Sequence, residues 1–89
     1  MDWNLVSFVT SSKLRFKLLI ELNRGKRIPS DLANLTQNSI SHVSQALKEL
    51  EAKKLIKCLT PERRKSKYYE ITNFGQELLD FINKETKGQ

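Results

Sequence analysis

Apolar residues recur along most of this chain at helical spacing, and they switch to strict alternation only once. Leu14, Leu18 and Leu22 repeat every four residues, joined by Phe16, Leu19 and Ile20, and the run stops at Asn23-Arg24-Gly25, where Gly25 can adopt a left-handed cap. This spacing predicts a helix over about 12–24. Before it, Trp3, Leu5, Val6, Phe8 and Val9 form a dense apolar segment that Thr10-Ser11-Ser12 interrupts with residues favouring caps, so a short first helix and a break are expected. Pro29 suits the first position of a third helix, Asp31 complements its dipole, and Leu32, Ala33 and Leu35 supply its buried side. That helix is short, ending near Leu35. A fourth helix, about 39–53, takes Asn38 or Ser39 as cap and carries Ile40, Val43, Leu47 and Leu50 as one buried stripe.

Two strands follow, Leu55 to Thr60 and Lys67 to Thr72, the second placing Tyr69 and Ile71 inward and Tyr68 and Glu70 outward. Pro61 to Ser66 form a polar hairpin loop between them. A last helix opens at Thr72 or Asn73 and carries Phe74, Leu78, Leu79, Phe81 and Ile82 to about Lys84; residues 1–84 read as one domain and 85–89 as a frayed tail. The fold class is α+β, mostly α: two closely connected helices, then a hairpin with a basic tip, the order of a helix-turn-helix with a wing. In that order the second helix of the pair fits a major groove about 12 Å wide, and the hairpin tip reaches the flanking backbone or the minor groove.

At 100° per residue, the side of the fourth helix opposite the buried stripe holds Ser41, Gln45 and Lys48, with Asn38, Ser39 and His42 flanking. Glu49, near the far end, is the first acid on it. Gln45 can bond an adenine edge bidentately, Ser41 and His42 can meet base edges or phosphates, and Lys48 most simply meets phosphate.

Charge sharpens this picture. The 89 residues carry 16 Lys and Arg against 10 Asp and Glu, a net charge of +6. The segment from Lys53 to Lys67 alone holds seven basic residues and one acid, Glu62, which equals the whole excess. Arg63, Arg64, Lys65 and Lys67 are therefore the expected wing contacts to phosphate or the minor groove, a concentration that gains affinity by counterion release. A membrane surface would instead favour basic residues along an amphipathic helix.

The stretch Ser12 to Ile82 resembles the winged helix-turn-helix transcription regulators of the ArsR and MarR type, most of all their short archaeal members. The residues that carry the resemblance are Ser12 to Arg15, Ile28 to Ala33, Ser41 to Glu51, Leu55 to Lys65, and Tyr69 to Thr72 with Gly75. It implies sequence-specific binding of double-stranded DNA by a homodimer, with the helix after Asn38 in the major groove, residues 61–67 as the wing, and dimerisation through the first and last helices. The last helix spreads its apolar residues over about 160°, wider than the ~100° stripe that one core contact needs. Trp3, Val6, Leu79 and Ile82 are the candidates for that second face. The chain departs from the pattern at Ile28, a poor cap by roughly 1 kcal/mol, which lets the helix start slip to Ser30. It also has only Cys58 and His42 as soft ligands, so neither a metal nor another cofactor is expected.

Nothing in the sequence points to an enzyme: no nucleophile has a partnered base, and Gly25, Gly75 and Gly88 form no phosphate-cradling loop. A lone cysteine, most simply a small core residue, suits a reducing cytoplasm, and no apolar run approaches the ~20 residues of a membrane span. Two alternatives stay open, a winged helix serving as a protein-interaction module and one that binds RNA.

Overall fold

Each helix begins where a short polar side chain accepts from a first-turn amide or where a proline removes one. In the computed structural model, which describes residues 2–87 and only the backbone of the last two of these, the Asp2 carboxylate accepts from the Asn4 amide at 2.8 Å and opens α1 (Trp3–Thr10). Ser12 accepts from the Arg15 amide at 3.2 Å and opens α2 (Lys13–Arg24). The third helix, α3 (Pro29–Thr36), starts at Pro29 and does not slip to Ser30 although Ile28 makes no side-chain cap. Proline at the first position has its φ preset and no amide to leave unpaired, which offsets the missing cap. Ser39, not Asn38, caps α4 (Ile40–Ala52), accepting from the His42 amide at 3.2 Å.

Strands β1 (Ile56–Cys58) and β2 (Tyr69–Ile71) pair antiparallel, with Ile56 opposite Ile71, Lys57 opposite Glu70 and Cys58 opposite Tyr69. They are shorter than the sequence suggested. The Leu59 amide still reaches the Tyr68 carbonyl at 2.8 Å, but a turn then begins, with Pro61 as its second residue and the Arg63 amide on the Thr60 carbonyl at 3.1 Å. The last helix, α5 (Asn73–Lys87), runs three residues past the expected end at Lys84, so Glu85 to Lys87 are helical and only Gly88 and Gln89 of the expected tail lie outside the described residues.

One pairing is not foreshadowed by any local pattern in the chain. Gly25 ends α2 at φ 157° and ψ 164°, in place of the expected left-handed helical cap, a region essentially confined to glycine. The chain leaves it extended, and Arg27 bridges Tyr69 in both directions, at 3.1 Å and 2.8 Å. The segment between α2 and α3 thus lies as a third rung against β2.

The core draws on all five helices and both strands: Val9, Leu18, Leu19, Leu22, Leu32, Val43, Ala46, Leu47, Leu50, Leu55, Ile56, Ile71, Leu78, Leu79 and Ile82 are buried together. Two residues expected in it are not. Ile40, in the first turn of α4, is 53% exposed, because the stripe actually used is Val43, Ala46, Leu47 and Leu50, one turn further on. Leu35 is 51% exposed because Thr36, four residues after Leu32, takes the inward position and donates its hydroxyl to the Leu32 carbonyl at 2.7 Å.

The expected second face is also redistributed. Leu79 and Ile82 are 2% and 4% exposed, within the chain's own core, because α5 turns them toward α1, α2 and β2. Trp3 is 61% exposed and meets Phe81 edge-on at 5.3 Å; Val6 is half-buried. The start of α5 is fixed by the β1 side. Thr72 accepts from the Gly75 amide at 3.0 Å and donates to the Lys54 carbonyl at 2.8 Å, while a Cβ at Gly75 would overlap the Leu55 carbonyl.

Candidate nucleic-acid interface

The turn between α3 and α4 sets the angle at which α4 is presented. Gln37 adopts the left-handed conformation (φ 56°, ψ 43°), and the Asn38 amide reaches back to the Ala33 carbonyl at 3.0 Å, a helix-ending motif that reverses the chain in few residues. Asn38 is half-buried, and its side-chain amide donates to the Thr36 carbonyl at 2.8 Å, so it serves the turn. Ser39, Ser41, His42, Gln45 and Lys48 are all exposed, on the side of α4 away from Val43, Ala46, Leu47 and Leu50.

Glu49 would place a negative charge beside this face. Instead its carboxylate is drawn toward α2, where Arg15 Nη1 holds it at 3.1 Å. The same guanidinium donates to the Phe8 carbonyl at 2.7 Å and lies 4.2 Å from the Phe8 ring centre. The outward line of α4 therefore keeps neutral polar groups and Lys48.

Between α4 and the hairpin lies a groove of about 280 Å³, walled on one side by Ser44, Leu47 and Lys48 and on the other by Arg64, Ser66, Lys67 and Tyr69, with Pro29 at its edge. Lys48, Arg64 and Lys67 share this groove although 16 residues or more separate Lys48 from the other two. Arg63 and Lys65 are exposed on the hairpin loop outside its wall. Among the described residues none of Arg63, Arg64, Lys65 and Lys67 takes part in an ion pair, whereas Lys57 pairs with Glu70 at 3.6 Å and Lys53 lies over the Phe8 ring at 5.7 Å. The four cations of the hairpin thus stand without a carboxylate partner among the described residues. Burial pushes the Tyr69 phenol above its ordinary value, and the charges of Cys58 and Glu51 push it further the same way.

Sequence reasoning missed Pro29, Ser44, Ser66 and Tyr69 as groove residues. Ser44 precedes Lys48 by one helical turn and was legible by that spacing; Ser66 and Tyr69 depend on how the hairpin folds over. A larger depression, about 600 Å³, lies at the opposite side of the sheet between the end of α2 and the start of α5. Its Arg24 and Lys57 are already paired, with Glu21 and Glu70 at 3.6 Å each. Among the described residues no cluster of His, Cys, Asp and Glu could hold a metal ion, and no helix is long and apolar enough to cross a membrane.

The sequence matches the family model of the N-terminal domain of the methanogenesis regulatory protein FilR1 over residues 3–82. It has no significant match among curated proteins. Among solved structures, the fold is similar to the transcriptional regulator BldR from Sulfolobus solfataricus, with a TM-score of 0.77 and 26% identity over 96% of this chain and 63% of that one. It is also similar to the adhesin competence repressor AdcR from Streptococcus pyogenes, with a TM-score of 0.72 and 17% identity over 96% of this chain and 69% of that one. The chain thus spans a little under two thirds of BldR and slightly more than two thirds of AdcR.

Proposed function

Because the chain belongs to the family of the FilR1 N-terminal domain, a family of winged-helix transcription regulators, we propose that it binds double-stranded DNA sequence-specifically, with α4 in the major groove and the hairpin on the flanking backbone or minor groove. The observation that carries this reading is the groove in which Lys48 of α4 faces Arg64 and Lys67 of the hairpin. A phosphate strand running past the edge of the major groove needs cations on both sides of it, and here they come from the two elements that would straddle it. The exposed Ser41, His42 and Gln45 then meet base edges while Arg63 and Lys65 extend along the backbone.

The reading includes a homodimer, formed through α1 and α5. Its support is the exposed Trp3 ring, held edge-on by Phe81, with Phe74 also exposed on α5. A two-fold arrangement places half-sites about 10 bp apart or a multiple of that. The cytoplasm is the compartment where such a regulator meets its DNA.

Selection of bound duplexes from a random pool tests this. Enrichment of a palindrome is expected. A pool that stays random, or enrichment only of single-stranded RNA offered in parallel, overturns it.

A further inference from the structure

Ile40 continues the apolar stripe of α4 past the end of the core, with Ser44 beside it one turn on. It sits in the first turn of α4, next to the Ser39 cap, and more than half of it is in water. The core does not use it, since burial on α4 begins at Val43. At helical spacing Ile40, Ser44 and Lys48 form one row, and Ser44 and Lys48, with Leu47, are the α4 wall of the groove shared with the hairpin. Ile40 heads that row at the helix end presented first to a groove, flanked by the exposed Ser39, Ser41 and His42.

A base-reading surface has a specific use for one aliphatic group. The major-groove edges of the base pairs are donors and acceptors throughout, apart from the C5-methyl of thymine. Building on the duplex-binding reading above, we infer that Ile40 is a specificity-determining residue whose side chain packs on a thymine methyl at the edge of the recognised site. A branched side chain in the first turn of a helix has few rotamers to lose, so its methyls are held ready for that contact. Cytosine, which carries hydrogen where thymine carries the methyl, leaves the same side chain in water.

The test uses the duplex most enriched from the random pool, made with uracil replacing thymine one position at a time, since uracil lacks only the methyl. Wild type is expected to lose about fourfold in affinity at one such position, the worth of one methyl removed from an apolar contact. Ile40→Ala is expected to bind the thymine duplex several-fold more weakly and to be indifferent to uracil at that position, while Ile40→Val keeps the discrimination. Because Ile40 is exposed, the variants should keep the wild-type unfolding midpoint. Wild-type affinity unchanged by uracil at every position, or Ile40→Ala retaining full sensitivity to it, overturns the assignment and leaves duplex binding standing. A wild-type chain that binds no duplex removes both together.

Discussion

Arg15 Nη1 lies 3.1 Å from Glu49 Oε1, and this contact joins α2 to α4 across 34 residues of sequence. Arg15 also donates to the Phe8 carbonyl and to Ser11 Oγ, at 2.7 Å and 3.2 Å, so one side chain ties three helices together. The two ends of the pair are unequal. Arg15→Ala removes the pair, two further hydrogen bonds and the cation over Phe8, and should cost roughly 1–3 kcal/mol. Glu49→Ala removes only a partly exposed pair and should cost about 1 kcal/mol or less. Urea unfolding of both variants decides this, and equal losses would show that the Phe8 contacts contribute nothing.

Replacing Arg63, Arg64 and Lys65 together with alanine should weaken binding to all duplexes alike. The slope of log affinity against log salt should become shallower by about 0.9 for each phosphate that is no longer neutralised. Binding titrations at several salt concentrations measure it. An unchanged slope would take the hairpin out of the interface.

Gln45→Ala should behave differently. Removing a bidentate hydrogen-bond pair to adenine costs about 1–3 kcal/mol at one preferred site and relaxes the choice of base there. The comparison to make is between the preferred duplex and a random one; an equal weakening on both would mean that Gln45 reads no base.

Trp3→Glu places a charge on the most exposed aromatic side chain of the chain and should shift the molecule from dimer to monomer in analytical sedimentation. The fold should survive, because Trp3 lies outside the core cluster. Leu79 is unsuitable for this purpose, since a charge there would enter the chain's own interior. Sedimentation of wild type and variant at the same mass would remove α1 from the interface.

Tyr69 gives the chain an alkaline limit. Its phenol is held above the ordinary value of 10.0, so the folded state keeps the proton more firmly than the unfolded state does. The resulting stabilisation is complete below pH 10 and disappears as pH rises through the folded-state value. Tyr69→Phe should unfold at a higher pH than wild type in a circular dichroism titration, and coincident curves would show that Tyr69 ionisation plays no part.

Most of the architecture was legible because it rests on local signals. Ser12, Pro29 and Ser39 start helices for reasons that reside in the residues themselves, and the stripe Val43, Leu47, Leu50 needs only the helical period. The misjudged residues sit where a periodic pattern runs past the body it packs against. Ile40 continues the stripe of α4 beyond the core, and Leu35 yields its inward position to a threonine whose hydroxyl is satisfied within its own helix. Periodicity identifies which side of a helix is apolar but not how far along the axis a neighbour covers it. The breadth of α5 misled in a related way, since Leu79 and Ile82 are covered by helices distant in sequence. The polar face of α4 could be read by spacing, whereas its opposition to Arg64 and Lys67 required the hairpin to be seen folded.

The bridge between Arg27 and Tyr69 bears on how such a molecule would measure DNA. Tyr69 is at once a rung of the sheet and part of the groove wall, and the strap it is bonded to leads directly into α3. The base of the hairpin is thereby tied to the helix pair at Tyr69, while Arg64, Ser66 and Lys67 stand on the chain between Thr60 and that tie. The groove thus has one anchored end and one end carried by a loop. On the proposed reading, the anchored end would set where a duplex sits and the cationic end would follow its backbone.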